Sequence, residues 1–381
     1  MIAALALLIV AVGLGLVWRS RQATDVAKST ASGTSTVPVA PASAMLDLLT
    51  RVPASYDVVD APATLVDVRA ARAAWTIDPP KDGDPAPAAS DDLTKLVEQP
   101  AGLDLAFSSL CKDCRSGTVA DARAGDLNAN GFSLADLDAT VQTDRSFMVF
   151  GRFDPAVAER ALTPANHEVT RTTYRDSIVL TVTCKATTPG PVPDPLGVAC
   201  ITFGGAQIVQ VVNAGLIGEA ASLEAAHAMV DRQAGEGPSA ADDPEARAMA
   251  VGADTVHAYT LRFLPPATVR CGEAGPCAFD PYYVAGTHGA LGLTHEAGHA
   301  AASVVYVLSN AAASAASQNA AVVSKWYTQG SAIGTVPLST KYDPPTTTVD
   351  GGVTVVVVPM KPGVPTRDLW ESFASRNYPA W

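Results

Sequence analysis

The chain has 381 residues, of which 48% are hydrophobic, 17% charged and 6% aromatic, and its formal net charge is −12. That apolar fraction fills a sizeable core and excludes a disordered chain. The balance of 38 acidic against 26 basic side chains excludes nucleic acid as the main partner, because phosphate binding needs a basic surface.

Met1 to Trp18 (MIAALALLIVAVGLGLVW) carries no charged side chain over 18 residues. As a helix it rises about 27 Å, enough to cross a bilayer core. It ends in Trp18-Arg19-Ser20-Arg21, an interfacial anchor rather than a small-residue cleavage site. The expectation is a single retained transmembrane helix over 1–18, with the membrane as partner. The basic flank (Arg19, Arg21, Lys28) follows the span, and on its own would hold the body in the cytoplasm. The six cysteines point the other way. They fall into three close pairs, Cys111 with Cys114, Cys184 with Cys200, and Cys271 with Cys277, a pattern that suits disulfides in an oxidising compartment. The cysteines take precedence here, so the body is expected outside the cytoplasm.

Residues 19–43 are small, polar and Pro-containing, the composition of a flexible stalk. The body then runs over 44–381, with a candidate internal division near 236–253. Met45 to Leu49 reads as a short helix, and Asp67 caps a second one through Trp75. Residues 79–92 (PPKDGDPAPAASDD) read as a loop. Ser133 and Asp136 have the spacing of a capping box before a short helix. Arg145 to Phe153 reads as a strand, after which Asp154-Pro155 opens a helix. Strands are expected over 167–173, 175–184, 198–203 and 207–213. Helices follow over 222–233 and from Asp243-Pro244, with a strand over 256–264. In the last third, 303–308 and 353–358 are β-branched strands, 309–329 is an Ala-rich helix, and Asp350-Gly351-Gly352 is a tight turn. The class is α+β, with largely antiparallel sheet and packed helices. The stretches 131–235 and 254–330 share an order of strand, hairpin and helix that suggests two similar units.

Three segments carry a resemblance: GFSLADLDATV with FMVFGRFDPAVAERAL, then PSAADDPEARAMA, then the C-terminal strand and Trp-containing tail. Over about residues 45–381 they resemble a group of membrane-anchored or secreted bacterial proteins. In that group a short GF-[small]-x-A-D-[apolar] helix precedes a strand ending in G-x-F-D. The resemblance implies an exported α+β body and carries over no catalytic or binding residue.

One motif spells out chemistry. His295-Glu296-Ala297-Gly298-His299 matches H-E-x-x-H. On a helix this spacing puts both imidazoles on one face to hold zinc, with the Glu activating the bound water. A membrane-tethered zinc peptidase using His295, Glu296 and His299 is therefore the alternative reading. Against it, Gly289 and Gly292 precede the motif and Ser303 to Leu308 (SVVYVL) follows it, which is strand composition on one side and poor helix composition on the other. No His follows His299 to serve as a third ligand. A hairpin over 289–308, turning at 297–299, accounts for the same residues.

Weaker signals remain. Asp126, Asn128, Asn130 and Gly131 have the spacing that opens a calcium loop, but Leu137 stands where the closing bidentate acid is needed. Cys111-Lys112-Asp113-Cys114 has the redox spacing, yet Asp113 disfavours a thiolate between the sulfurs. Zinc held by Cys111, Cys114, Cys271 and Cys277 is conceivable chemically, with structural disulfides the default in an exported protein. Cys184 and Cys200 flank a Pro-rich loop between two strand-like runs, and so are expected to close a cross-hairpin disulfide. The leading reading is a non-enzymatic binding or envelope-scaffold module.

Overall fold

In a computed structural model of the chain, the described residues are 44–59, 63–78, 132, 136–143, 146–163, 168–183, 207–264, 288–296, 298–310, 313–329, 337–350 and 352–364. They belong to one unit, Ser43–Trp381. Its strands are β1 (Ala63–Asp67), β2 (Leu137–Gln142), β3 (Ser146–Gly151), β4 (Glu168–Tyr174), β5 (Ser177–Thr183) and β6 (Gln207–Val212). The second set is β7 (Leu216–Ala220), β8 (Thr260–Leu264), β9 (His288–Thr294), β10 (Ser303–Ser309), β11 (Thr346–Asp350) and β12 (Val353–Pro359). The helices are α1 (Ala44–Thr50), α2 (Val68–Ala74), α3 (Pro155–Leu162), α4 (Leu223–Gln233), α5 (Pro244–Asp254) and α6 (Ala313–Gln329).

The strands form one 12-stranded sheet in the order β11-β12-β10-β9-β8-β1-β2-β3-β7-β6-β5-β4. Every pairing among these strands is antiparallel. The α+β class with a large antiparallel sheet thus follows directly. The order has a regular feature. Outward from β1 run β2, β3 and then β7; outward from β8 run β9, β10 and then β12. A helix follows the third strand on each side, α3 after β3 and α6 after β10.

Both faces of the sheet are covered. Successive residues of a strand point to opposite faces, so in β1 Leu65 enters one core and Val66 the other. Leu65 belongs to the core that also contains Met45 and Leu49 of α1, Met229 of α4 and Met249 of α5. Val66 belongs with Ala71 of α2, Leu162 of α3 and Trp326 of α6. A strand buried on both faces loses its apolar/polar alternation, which is why β1 gives no strand signal in the sequence.

Helix starts are fixed locally. The Asp67 carboxylate accepts from Ala70 N at 2.8 Å, Asp154 accepts from Ala156 N before Pro155, and Asp243 accepts from Glu245 N and Ala246 N before Pro244. Ser222 caps α4 through Ala225 N. The start of α1 is closed from far along the chain. Asp254, the last residue of α5, accepts from Met45 N at 2.8 Å and Leu46 N at 3.1 Å. These amides lack intrahelical partners at any helix start, and a carboxylate there also meets the positive end of the helix dipole.

Some expectations need correction. The helix expected from Ser133 gives way to strand at Leu137, where β2 begins; residues 133–135 are outside the described set. The strand expected over 256–264 is confined to Thr260–Leu264, because α5 and a turn occupy the chain through His257. Strands β7 and β11 lie where none was expected. The region 236–253 contains most of α5, packed in the core beside α1. The strand expected over 198–203, all six cysteines and the calcium-like residues Asp126, Asn128 and Asn130 lie outside the described residues. So does Met1–Trp18; among the described residues no helix is long and apolar enough to cross a membrane.

Candidate functional site

The H-E-x-x-H residues lie in the connection between β9 and β10. The register pairs Thr294 with Ser303, leaving 295–302 as the hairpin loop. Gly298 sits at φ +91°, a left-handed turn conformation suited to glycine. The strand before the loop requires a glycine too: a Cβ on Gly292 would stand 2.2 Å from the Thr260 carbonyl oxygen. The helical frame that would put both imidazoles on one face is therefore replaced by strand and turn.

His295 is held on three sides. Its Nδ1 lies 2.8 Å from the carbonyl oxygen of Ala74 at the end of α2, and its Nε2 lies 2.9 Å from the carbonyl oxygen of His299. Its ring stacks on Trp75, with centroids 3.6 Å apart and planes 25° apart. The Trp75 indole N–H in turn donates to the hydroxyl of Tyr259 at 3.4 Å. Tyr259 is fully buried, and burial pushes its phenol well above the usual range. At the base of the loop, the Thr294 hydroxyl donates to the carbonyls of Val256 and His257. Both nitrogens of His295 are thus engaged by backbone carbonyls, an arrangement that staples the hairpin loop to α2.

Glu296 and His299 are turned outward, with side chains 79% and 54% exposed, and His299 Nε2 lies 3.4 Å from Glu296 Oε2. The structure brings Glu296 to His299 and His295 to Trp75, but does not converge the two imidazoles and the carboxylate on one point. No group of three or more His, Cys, Asp or Glu is arranged to hold a metal among the described residues. His227 stacks on Tyr174 at 3.8 Å, and His288 pairs with Glu245.

Two other polar groupings carry no local sequence signal. One runs straight across the face that bears α2, α3 and α6. Directly opposed residues share a face, and the register aligns Gln210, Glu219, Phe147, Gln142, Thr64 and Arg262 on β6, β7, β3, β2, β1 and β8, with the apolar Phe147 separating Gln210 and Glu219 from the other three polar residues. Gln210 Nε2 donates to Glu219 Oε1 at 2.8 Å, while Gln210 Oε1 is buried without a hydrogen-bond partner among the described residues. Burial lifts the Glu219 carboxyl above its ordinary range, and the bond from Gln210 opposes this. The other grouping floors an open cleft of about 330 Å³ at the end of α6, lined by Tyr327, Tyr342, Asp343 and Lys361. The Tyr306 and Tyr327 hydroxyls meet at 2.7 Å, and Lys361 Nζ donates to the Ser339 carbonyl.

Comparison with known proteins finds no matching family model, no matching curated protein and no matching solved structure.

Proposed function

We propose that the protein is a membrane-anchored, extracytoplasmic module that works by binding or scaffolding rather than by catalysis. The observation that carries this reading is the use made of His295. The one motif with catalytic spacing lies in a hairpin loop, and both ring nitrogens of its first histidine face backbone carbonyls. A zinc peptidase needs one ring nitrogen of each histidine free to converge on the metal with a third ligand, and at His295 a carbonyl faces both. The 18-residue apolar run at 1–18 and the polar stalk at 19–43 support a tethered body. The paired cysteines favour an oxidising compartment.

The body itself is read as two similar α+β units. The first extends back beyond 131–235 to β1: each has three strands (with α2 after β1 in the first), a helix and, after further strands (β4 to β6 in the first, β11 in the second), a last strand that returns beside the third. β1 and β8, the first strand of each, meet antiparallel near the middle of the sheet, with five strands on the β8 side and seven on the β1 side.

The test is a C-terminal fusion to paired reporters, one active only in the cytoplasm and one only outside it. Activity of the outside reporter, with the chain in the membrane fraction, is the expected result; the reverse pattern overturns the location. A zinc-dependent peptidase activity lost in Glu296→Gln would establish the competing reading.

A further inference from the structure

The two edges of the sheet are defended differently. At one edge, β4 (EVTRTTY) carries Glu168 and Arg171, and Arg171 pairs with Glu159 of α3. A second copy laid antiparallel about Arg171 would set two guanidinium groups opposite each other, and like charges directly opposed are destabilising. At the other edge, β11 (TTTVD) has no basic residue and no proline, and its register with β12 runs without a bulge. All five of its residues are exposed. Its short length and the Pro344-Pro345 pair just before it limit the edge to five residues, but over those residues the backbone groups are free to template another strand. The helix over this corner, α6, has Lys325 as the single charged residue of its 17. On a chain of net charge −12, a corner whose strand carries one acid and whose helix carries none lets two copies approach with little repulsion.

We propose that β11 pairs antiparallel with β11 of a second copy, about a two-fold axis through Thr348, joining the two sheets edge to edge. The sequence is self-complementary in that register. Thr348 meets its own symmetry mate, Thr347 meets Val349, and the Thr346 hydroxyl meets the Asp350 carboxylate. Opposed residues have the same parity, so each face of the sheet continues across the seam. Val349, 43% exposed in the single copy, is covered by its neighbour. The two Asp350 carboxylates end up four residues apart along the seam, about 13 Å, beyond the screening length at physiological salt.

A five-residue seam is short against the roughly 800 Å² per partner of a standard stable interface. Free copies therefore pair weakly, and the contact depends on a high local concentration. In this respect the inference rests on the proposed membrane anchoring, which confines copies to one plane.

The test uses the full chain reconstituted in lipid vesicles, with Thr348→Cys and, on the opposite edge, Thr172→Cys, under mild oxidation and read on non-reducing gels. The wild-type chain controls for its own cysteines. We expect at least about ten-fold more covalent dimer from Thr348→Cys than from Thr172→Cys or wild type, and a loss of about ten-fold on adding Val349→Lys. Val349 is an exposed edge residue, so the melting temperature of that variant should not change. Equal cross-linking at the two edges, no cross-linking at Thr348, insensitivity to Val349→Lys, or cross-linking only to a different protein would overturn the seam. Flotation of the same vesicles separates the two readings. A chain that fails to float refutes anchoring alone, and the seam is then judged by the same cross-link in solution at a concentration on the order of 1 mM.

Discussion

Replacing Asp254 should unfasten the first helix of the body from a position 209 residues away in the chain. Asp254 closes α5, where a negative charge is unfavourable to its own helix dipole. Offsetting that cost, its two carboxylate oxygens take the Met45 and Leu46 amides at 2.8 and 3.1 Å. Hydrogen bonds to a charged group contribute about 1.5–3 kcal/mol each, but amides at a helix start regain water when the acceptor is removed, so Asp254→Ala should cost about 2 kcal/mol. Asp254→Asn keeps one acceptor and loses the charge, and should cost about 1 kcal/mol. The ceiling is set by undocking α1. Met45, Leu48 and Leu49 are at most 2% exposed, and exposing all three would cost about 6 kcal/mol. A seven-residue helix has little stability of its own, so local loosening precedes global unfolding. The assay is a urea titration of each variant beside wild type, with limited proteolysis over 44–52 as the local readout. A shift under about 0.5 kcal/mol for Asp254→Ala, or equal losses for Ala and Asn, would refute the reasoning.

Three further outcomes follow from particular contacts. Gly292→Ala forces a Cβ to within 2.2 Å of the Thr260 carbonyl and should cost about 3 kcal/mol, read as a lower denaturation midpoint; an unchanged midpoint contradicts the close approach. Tyr327→Phe removes the buried hydroxyl pair with Tyr306 and should cost about 1 kcal/mol by the same titration, with no change expected if that bond does not form. Glu219 has its carboxyl raised above the ordinary value of 4.5 by burial, so the folded state holds its proton more tightly than the unfolded chain. The stability it contributes is full below pH 4.5 and is lost as pH rises through the folded-state value. Glu219→Gln should therefore be more stable than wild type at neutral and alkaline pH. The gap should close on acidification, and melting curves showing a pH-independent gap would contradict this.

Much of the helical framework is legible because its signals are local. Asp67, Asp154-Pro155, Ser222 and Asp243-Pro244 each announce a helix start that the structure contains. The hairpin around 295–302 is legible for a similar reason, since glycines precede it and a β-branched run follows. The strands without a signal are those whose environment erases it. β1 and β7 are short and buried on both faces, so ATLVD and LIGEA show no alternation. β11 is exposed throughout, so TTTVD shows no apolar face. β2 (LDATVQ) follows Ser133 and Asp136, whose capping-box spacing predicts a short helix just where the strand begins. At the candidate site, the motif letters are visible but what occupies His295 is not. Trp75, Tyr259 and His295 meet only because β1, β8 and β9 are neighbours, a consequence of topology with no trace in local spacing. The Gln210–Glu219 pair depends on register in the same way.

The most direct test is the effect of His295→Ala on zinc content and melting temperature of the full chain, beside Glu296→Gln. If His295 fastens the hairpin to α2, its removal forfeits a hydrogen bond from the ring N–H to a backbone carbonyl and a ring stack, about 2 kcal/mol. The melting temperature should then fall by about 3–6 °C. Glu296→Gln, at an exposed side chain, should leave it unchanged, and a chelator should not alter the wild-type value. A stoichiometric zinc ion in the wild-type chain, lost with His295→Ala and needed for thermal stability, would contradict the account and make the motif a metal centre.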